Sequence, residues 1–410
     1  MKQGWETKKL GEVLLKTETI DPTKNPNKEF TYLDVSSVNK ETKEIENATV
    51  LLGKDAPSRA RKLTRTNDVI FATVRPTHSR VALITEDYNE QVCSTGYFVL
   101  RGKEFIHNKY LFYFLLTDGF NKNMEKLQKG ASYPAVTDAE VKSINISFPK
   151  SLPEQQHIVS ILDQVFEAIA KAKANAEQNL KNAKELFESY LETLFSEIFN
   201  SNETKTISEL AKVIGGYSFK SGDFNKEGKY QVIRMGNVRP GVIRENESPV
   251  FIDSMDEKAL SKALLLPNDV IITQTGTKKK RDYGYTVIIE KTNYLLNQRI
   301  AAIRFSKQYL PEFFLYFSWT NIFKDQYFAN ETGTVGQGNV GIGAITDAKV
   351  PFLTVSEQQT IIQKLDALSA ETKRLETIYQ KKIVDLEELK KSVLQKAFAG
   401  ELKTEKVVTI

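Results

Sequence analysis

The sequence predicts an α/β protein: two globular mixed α/β domains in tandem repeat, separated by two long helices that form an antiparallel coiled coil. Three observations predict it. A string of short motifs occurs twice in the same order; the first part of each copy mixes short apolar runs with turn residues; and each copy closes on a proline-free segment rich in Ala, Leu, Glu and Lys, Glu154 to Asn200 and Glu357 to Gly400.

The repeat comes first. Asn67-Asp68-Val69-Ile70 recurs as Asn268-Asp269-Val270-Ile271. Glu154-Gln155-Gln156, followed by Ile158, Leu162 and Asp163, recurs as Glu357-Gln358-Gln359, followed by Ile361, Leu365 and Asp366. Phe112-Tyr113-Phe114 is echoed by Leu315-Tyr316-Phe317, Val136-Thr137-Asp138-Ala139 by Ile345-Thr346-Asp347-Ala348, and Leu10-Gly11-Glu12-Val13 by Ile207-Ser208-Glu209-Leu210. The offset drifts with small insertions while the order is kept, which chance would not do.

Within each copy, runs such as Val69-Ile70-Phe71 and Tyr97-Phe98-Val99-Leu100 predict strands, and the aromatic patches Tyr110 to Leu116 and Phe313 to Trp319 predict helices. In the first long segment, Leu162, Val165, Ile169, Ala172, Ala176, Leu180, Ala183, Leu186, Tyr190 and Leu194 recur at steps of mostly three and four. In the second, Leu365, Leu368, Thr372, Leu375, Tyr379, Ile383, Leu386, Leu389, Val393 and Ala397 do the same, with only Thr372 interrupting. That is the seam of a coiled coil. The competing reading is an amphipathic helix lying on its own domain, but two helices with matching seams supply each other's missing face.

Composition sets the remaining bounds. A chain of 410 residues exceeds one ordinary core, and 40% hydrophobic with 27% charged residues fits a soluble globular protein. No apolar run approaches the ~20 residues of a membrane span, and the first residues lack the apolar core of a signal peptide. One cysteine, Cys93, cannot form an internal disulfide, and three scattered histidines show no metal-ligand spacing, so a reducing compartment, the cytoplasm, is expected. A net charge of +5 permits nucleic-acid binding without demanding it.

The motifs then point to a family. Leu152-Pro153-Glu154-Gln155-Gln156 with Ile158-Val159, and Val355-Ser356-Glu357-Gln358-Gln359 with Ile361-Ile362, resemble the helix-opening motif of the specificity subunit of type I restriction-modification systems. Ser392 to Leu402 resembles its C-terminal signature, Lys9-Leu10-Gly11-Glu12-Val13 its domain opening, and Tyr230 to Val238 an early strand of many of its target-recognition domains. The first helix departs from the signature at Leu194-Phe195-Ser196-Glu197, and the first domain carries Leu33-Asp34-Val35-Ser36-Ser37-Val38 where the second has the Arg-Met-Gly-Asn form.

The resemblance implies target-recognition domains at 1–152 and 201–355, helical spacers at 153–200 and 356–402, and a tail at 403–410. Each domain would read one half of a bipartite, asymmetric site on double-stranded DNA. The helices would dock two methyltransferase (modification) subunits, and restriction subunits would join in the full complex. S-adenosylmethionine, ATP and Mg would sit on those partners, leaving this chain non-catalytic, without cofactor or metal. The alternative is a two-domain coiled-coil scaffold that binds proteins rather than DNA, which salt-sensitive DNA binding would exclude.

Some strings mislead. Gly336-Gln337-Gly338-Asn339-Val340-Gly341 matches a dinucleotide fingerprint, but no buried strand precedes it and the required helix does not follow. Its counterpart, Gly130-Ala131-Ser132-Tyr133-Pro134, lacks the glycines. Asp138 and Glu140 suggest part of a nuclease site, yet the second copy has no second carboxylate; solvated charges are the better reading. Asn25-Pro26-Asn27 reads as a turn, and Cys93 as core.

Cations and amides near the repeated Asn-Asp-Val-Ile strand are the candidates for DNA contact. In the first domain these are Arg59, Arg61, Lys62 and Arg65 before it and Arg75, His78 and Arg80 after it. In the second, Lys278, Lys279, Lys280 and Arg281 follow the strand, with Arg80 aligned to Arg281. Arg234, Asn237 and Arg239 are added because Arg pairs with guanine and Asn with adenine in the major groove. Tyr133, Gln337 and Asn339, on later loops, are weaker candidates.

Overall fold

A computed structural model describes residues 3–334 and 336–402; the expected tail at 403–410 lies outside the described residues. The chain divides into two compact units, Met1–Glu177 with Lys381–Ile410, and Gln178–Gln380.

In the first unit, the Asn-Asp-Val-Ile motif is a device for starting a buried strand. Asn67 takes the left-handed conformation (φ 69°), which its short amide tolerates. Asp68 then turns inward, accepts the Arg65 backbone N–H at 2.9 Å and receives Arg101 in a two-pronged ion pair at 2.8 and 2.7 Å. Val69–Ala72 follows, buried along its whole length, between Val81–Leu83 and Tyr97–Leu100 in a three-stranded antiparallel sheet. A second, four-stranded sheet runs Thr49–Leu52, Glu29–Leu33, Val92–Ser94, Ala60–Leu63, and its central pairing is parallel, Tyr32 opposite Val92 and Leu33 opposite Cys93.

The second unit repeats the plan. Asn268 is left-handed (φ 71°), Asp269 accepts the Leu266 N–H at 2.8 Å and both prongs of Arg304 at 2.7 Å, and Val270–Thr273 is buried beside Thr286–Ile288 and Ile300–Phe305. The parallel pairing also recurs, between Tyr230–Ile233 and Tyr294–Leu296. The register places Thr286 where the first unit has Val81, so the intervening loop is longer and Arg80 corresponds to Tyr285, not to Arg281. A second sequence match is also corrected. Val136 hydrogen-bonds the Thr73 carbonyl as Val340 does that of Gln274, so Val136-Thr137 corresponds to Val340-Gly341 rather than Ile345-Thr346.

The two long helices span Leu152–Ser201 and Val355–Ala399. Their opening motif is a clasp. Gln155 is fully buried; its carbonyl oxygen accepts the His107 N–H at 2.8 Å and its amide donates to Phe105 and Pro149 carbonyls at 3.0 and 2.8 Å. Gln358 does the same with Leu310 (2.8 Å), Gln308 (3.0 Å) and Leu353 (2.9 Å). Two turns on, Asp163 accepts the Tyr113 hydroxyl and Asp366 that of Tyr316, both at 2.5 Å, fixing each helix to the aromatic helix of its domain.

Each unit contains one half of the helix pair. In the first, Lys173 bonds Glu387 at 2.6 Å and Phe166 lies under Lys390, while Leu162 shares a core with Leu394 and Ala397, so the two helices run antiparallel. In the second, Leu191, Phe195 and Ile198 share a core with Leu365 and with the domain's Phe313 and Phe317. The helices thus lie on their own domains as well as on each other. Of the expected seam, Leu162, Ile169 and Leu365 are buried and Val165, Leu180, Leu368, Leu375, Leu386 and Val393 are half-buried. Leu186 and Leu389 are corrections: they are 50% and 47% exposed, and Tyr190 is exposed too. A straight α-helix drifts about 20° per heptad against a strict seven-residue repeat, so the buried line moves one residue on, to Phe187, Leu191 and Phe195. Thr372 does not interrupt packing; it is buried with its hydroxyl returned to the Leu368 carbonyl at 3.0 Å.

Candidate nucleic-acid interface

An arginine can bind DNA only with donors not already used inside the protein, and on that criterion the candidates divide. Several are structural. Lys62 extends inward to the Tyr97 carbonyl and to Asp138 at 2.8 Å, its side chain only 17% exposed. Arg80 donates to the Val38 carbonyl, and Arg234 to that of Ser248. Asn237 is buried and satisfied: its oxygen accepts the Arg234 N–H at 3.0 Å and its amide donates to Arg244 and Glu247 carbonyls at 3.2 and 2.8 Å. It holds a turn together and has nothing left for adenine. Lys62 and Asn237 are therefore corrections to the expected contact set, while Arg80 and Arg234 each give one guanidinium donor to a carbonyl and keep the others.

Others are partly committed. Arg61 bonds the neighbouring Ala60 carbonyl at 2.9 Å and faces Asp21 at 3.4 Å, Arg65 pairs with Glu18 at 2.9 Å, and Arg239 reaches carbonyls of Gly236 and Val238 and lies 3.7 Å from Glu247. Arg59, His78, Lys278, Lys279 and Lys280 have no side-chain hydrogen bond or ion pair among the described residues. Arg59, His78, Lys279 and Lys280 are exposed, and Lys278 is half-buried.

The basic loop is built, not loose. Asp282 accepts the Thr277 N–H at 2.6 Å and its hydroxyl at 3.1 Å, closing the turn that carries the lysines, and these bonds hold the Asp282 carboxyl below its usual range. Arg281 is left-handed (φ 46°) with its guanidinium over the Phe328 ring at 4.9 Å. Arg75 repeats this in the first unit, left-handed (φ 50°) and over Tyr133 at 5.2 Å. Stacking occupies the face of a guanidinium and leaves its in-plane N–H groups available.

Gly336 to Gly341 forms no phosphate cradle. Gln337–Asn339 is a short strand pairing Thr332–Thr334 on one side and Thr275–Gly276 on the other, and Asn339 accepts the Thr275 hydroxyl at 2.8 Å. Asn339 is thus inward-tied, while Gln337 is exposed at the tip. Tyr133, 73% exposed, occupies the matching tip in the first unit, since Pro134 accepts the Arg75 N–H where Gly338 pairs with Gly276.

In the second unit these parts border one cleft of two adjoining lobes, of about 690 and 630 Å³. Arg234, Asn237, Glu247 and Ser248 line the first, Arg239, Thr275, Thr277, Asp282 and Gln337 the second, and Met235, Gly236 and Arg299 line both. Sequence reasoning missed Arg299. Its signal was a polar triplet, Asn297-Gln298-Arg299, between two buried strands.

Catalytic readings find no support in the geometry of the strings that suggested them. Asp138 pairs with Lys62, and Glu140 closes a capping box with Thr137 and bonds Lys129 at 2.8 Å. Cys93 is buried, which pushes its thiol up to about 12. Among the described residues no group of His, Cys, Asp or Glu is arranged to hold a metal, and no helix is long and apolar enough to cross a membrane.

Two α/β units built to one plan, each with an inward helix clasp and an outward cleft or tip, define a recognition protein. The type I restriction modification DNA specificity domain matches residues 2–181 and again 200–384, and the chain belongs to that family. Similar proteins include the type I restriction enzyme EcoKI specificity subunit of Escherichia coli K12, 22% identical over 86% of this chain and 78% of that one. The MjaIX specificity subunit of Methanocaldococcus jannaschii is 22% identical over 78% and 74%. Among solved structures, the HsdS subunit from Thermoanaerobacter tengcongensis matches with a TM-score of 0.71 at 27% identity over 98% of both chains. A chain from a study of complex assembly and conformational transition of the type I R-M system matches at 0.81 and 26%, covering 98% of this chain and 99% of that one. This chain is a non-catalytic DNA-specificity subunit.

Proposed function

We propose that the domains 1–152 and 201–355 each read one half of a bipartite, asymmetric DNA site, and that the helices 153–200 and 356–402 dock two methyltransferase subunits. Restriction subunits join in the full complex; S-adenosylmethionine, ATP and Mg belong to the partners, and the complex acts in the cytoplasm. One observation carries the reading: the two units share a backbone plan but carry different side chains at matching outward positions. Tyr133 stands where the second unit has Gln337, and Arg75 where it has Gly276. Val35-Ser36-Ser37 forms the turn that Met235-Gly236-Asn237 forms in the second unit. A fixed frame with altered tips suits reading two different sequences.

Exchange of residues 201–354 for another domain of the family should change one half of the methylated site and leave the other intact, read by mapping methylated adenines genome-wide. Simultaneous change of both halves would reject independent reading. The exposed cations contribute affinity: replacing Lys278, Lys279, Lys280 and Arg281 by Ala should weaken binding by the assembled complex and flatten its salt dependence, each lost phosphate contact lowering the slope by ~0.9. Unchanged binding at moderate salt would make the run ordinary surface.

A further inference from the structure

The two units differ at the turn that feeds the strand beside the Asn-Asp-Val-Ile strand. In the first unit the turn residue is Gly96, whose carbonyl accepts the Thr73 N–H at 2.8 Å. A Cβ added there would lie 2.6 Å from Val35 Cγ2, so that corner is closed to any side chain without rearrangement. In the second unit the same place is Arg299, whose carbonyl accepts the Gln274 N–H at 2.9 Å.

Three features make Arg299 unlike the other arginines of its cleft. Its backbone is left-handed (φ 66°), a conformation that disfavours a residue with a Cβ and persists only where the surroundings impose it. The turn is fixed from outside: Gln298 donates to the Tyr217 carbonyl at 2.8 Å, and Gly216 approaches so closely that a Cβ there would sit 1.9 Å from the Asn297 oxygen. Its side chain is exposed, with no hydrogen bond or ion pair among the described residues, whereas Arg234 and Arg239, which line the same cleft, are each tied to a carbonyl. A rigid base with unspent donors, lining both lobes of the cleft between the basic loop and the Met235-Gly236 turn, has the properties of a base reader rather than a rim cation.

We infer that Arg299 is the specificity-determining residue of the second domain and reads a guanine through its O6 and N7 edge within that domain's half-site. The first domain has no equivalent, because Gly96 occupies the position. This rests on the DNA-reading function proposed above.

The test uses the complex assembled with modification subunits and duplexes carrying each single base-pair change across the mapped site. Wild-type discrimination between cognate and unrelated duplexes establishes the DNA-reading function itself; its absence would remove that reading, and this one with it. Given it, Arg299→Gly, which removes the side chain and suits the left-handed turn, should lose roughly 10- to 100-fold for the cognate duplex. Discrimination at one G·C pair in the second domain's half-site should fall toward unity while every other position keeps its preference. Arg299→Lys should recover affinity but not the full discrimination. A uniform loss over all duplexes, with a shallower salt slope, would make Arg299 a phosphate contact and overturn the inference. So would unchanged binding, or a preference lost in the other half-site.

Discussion

Arg304→Met should destabilise the second unit by ~3–5 kcal/mol, well beyond any single change on the basic loop. The reason is the asymmetry of the ion pair. The Asp269 side chain is 1% exposed, that of Arg304 35%. Removing the guanidinium leaves a carboxylate sealed from water with the Leu266 N–H as its remaining donor, since both prongs of Arg304 are lost. Removing the carboxylate instead lets Arg304 turn toward solvent, so Asp269→Asn, which keeps an acceptor for Leu266, should cost distinctly less. The pair Asp269→Asn with Arg304→Met should recover part of the loss. Denaturant unfolding of the four proteins orders them directly. Equal costs for the two single changes would show that burial of the carboxylate is not what matters. The strand launched by Asp269 continues into Thr273 and Thr275 at the cleft floor, so half-site binding should fall with stability.

Legibility in the sequence followed the kind of constraint each residue serves. Asn67-Asp68 and Asn268-Asp269 could be matched because a left-handed turn and a buried ion pair admit few alternatives, and so both copies kept the same residues. Gln155 and Gln358 were visible for the same reason, although their use as clasps was not, because the N–H and one of the two carbonyls that each meets lie 48 and 50 residues away in the chain. Matches across loops failed. The longer loop after Val270–Thr273 displaced Arg281 from the position that Arg80 shares with Tyr285, and the similar strings at Val136 and Ile345 proved out of register. Composition shows that an Arg or Asn is present, not that Asn237 spends every donor on a turn while Arg299 spends none. That difference is set by neighbours such as Arg244 and Glu247, which only the folded chain supplies. The seam erred at Leu186 and Leu389 because a seven-residue pattern presumes a helix that keeps facing its partner, whereas a straight helix drifts off that line, and beside Leu186 the aromatic helix Pro311–Ser318 also packs on Phe187.

Gln358→Ala should open the second unit at one place without melting its long helix. The native amide satisfies three backbone groups at once: the Leu310 N–H and the Gln308 and Leu353 carbonyls. Alanine reaches none of them. Buried polar groups left without partners cost ~1–3 kcal/mol apiece, so a loss on the order of 3–5 kcal/mol is expected after some rehydration. Gln358→Glu should be no better. A carboxylate can accept from Leu310 but cannot donate to two carbonyls, and it would bring a negative charge against both of them in a site with no solvent. Helix content by circular dichroism should stay near the wild-type value, because Val355–Ala399 keeps its own backbone ladder and the second tie, Tyr316 to Asp366, is untouched. Hydrogen exchange at the Leu310 amide is the decisive readout: it should speed up far more than exchange at the middle of Val270–Thr273, which is held by neighbouring strands on both sides. Slow exchange at Leu310 in the alanine variant, with unchanged stability, would mean that the glutamine fills space and is not the clasp joining domain to helix.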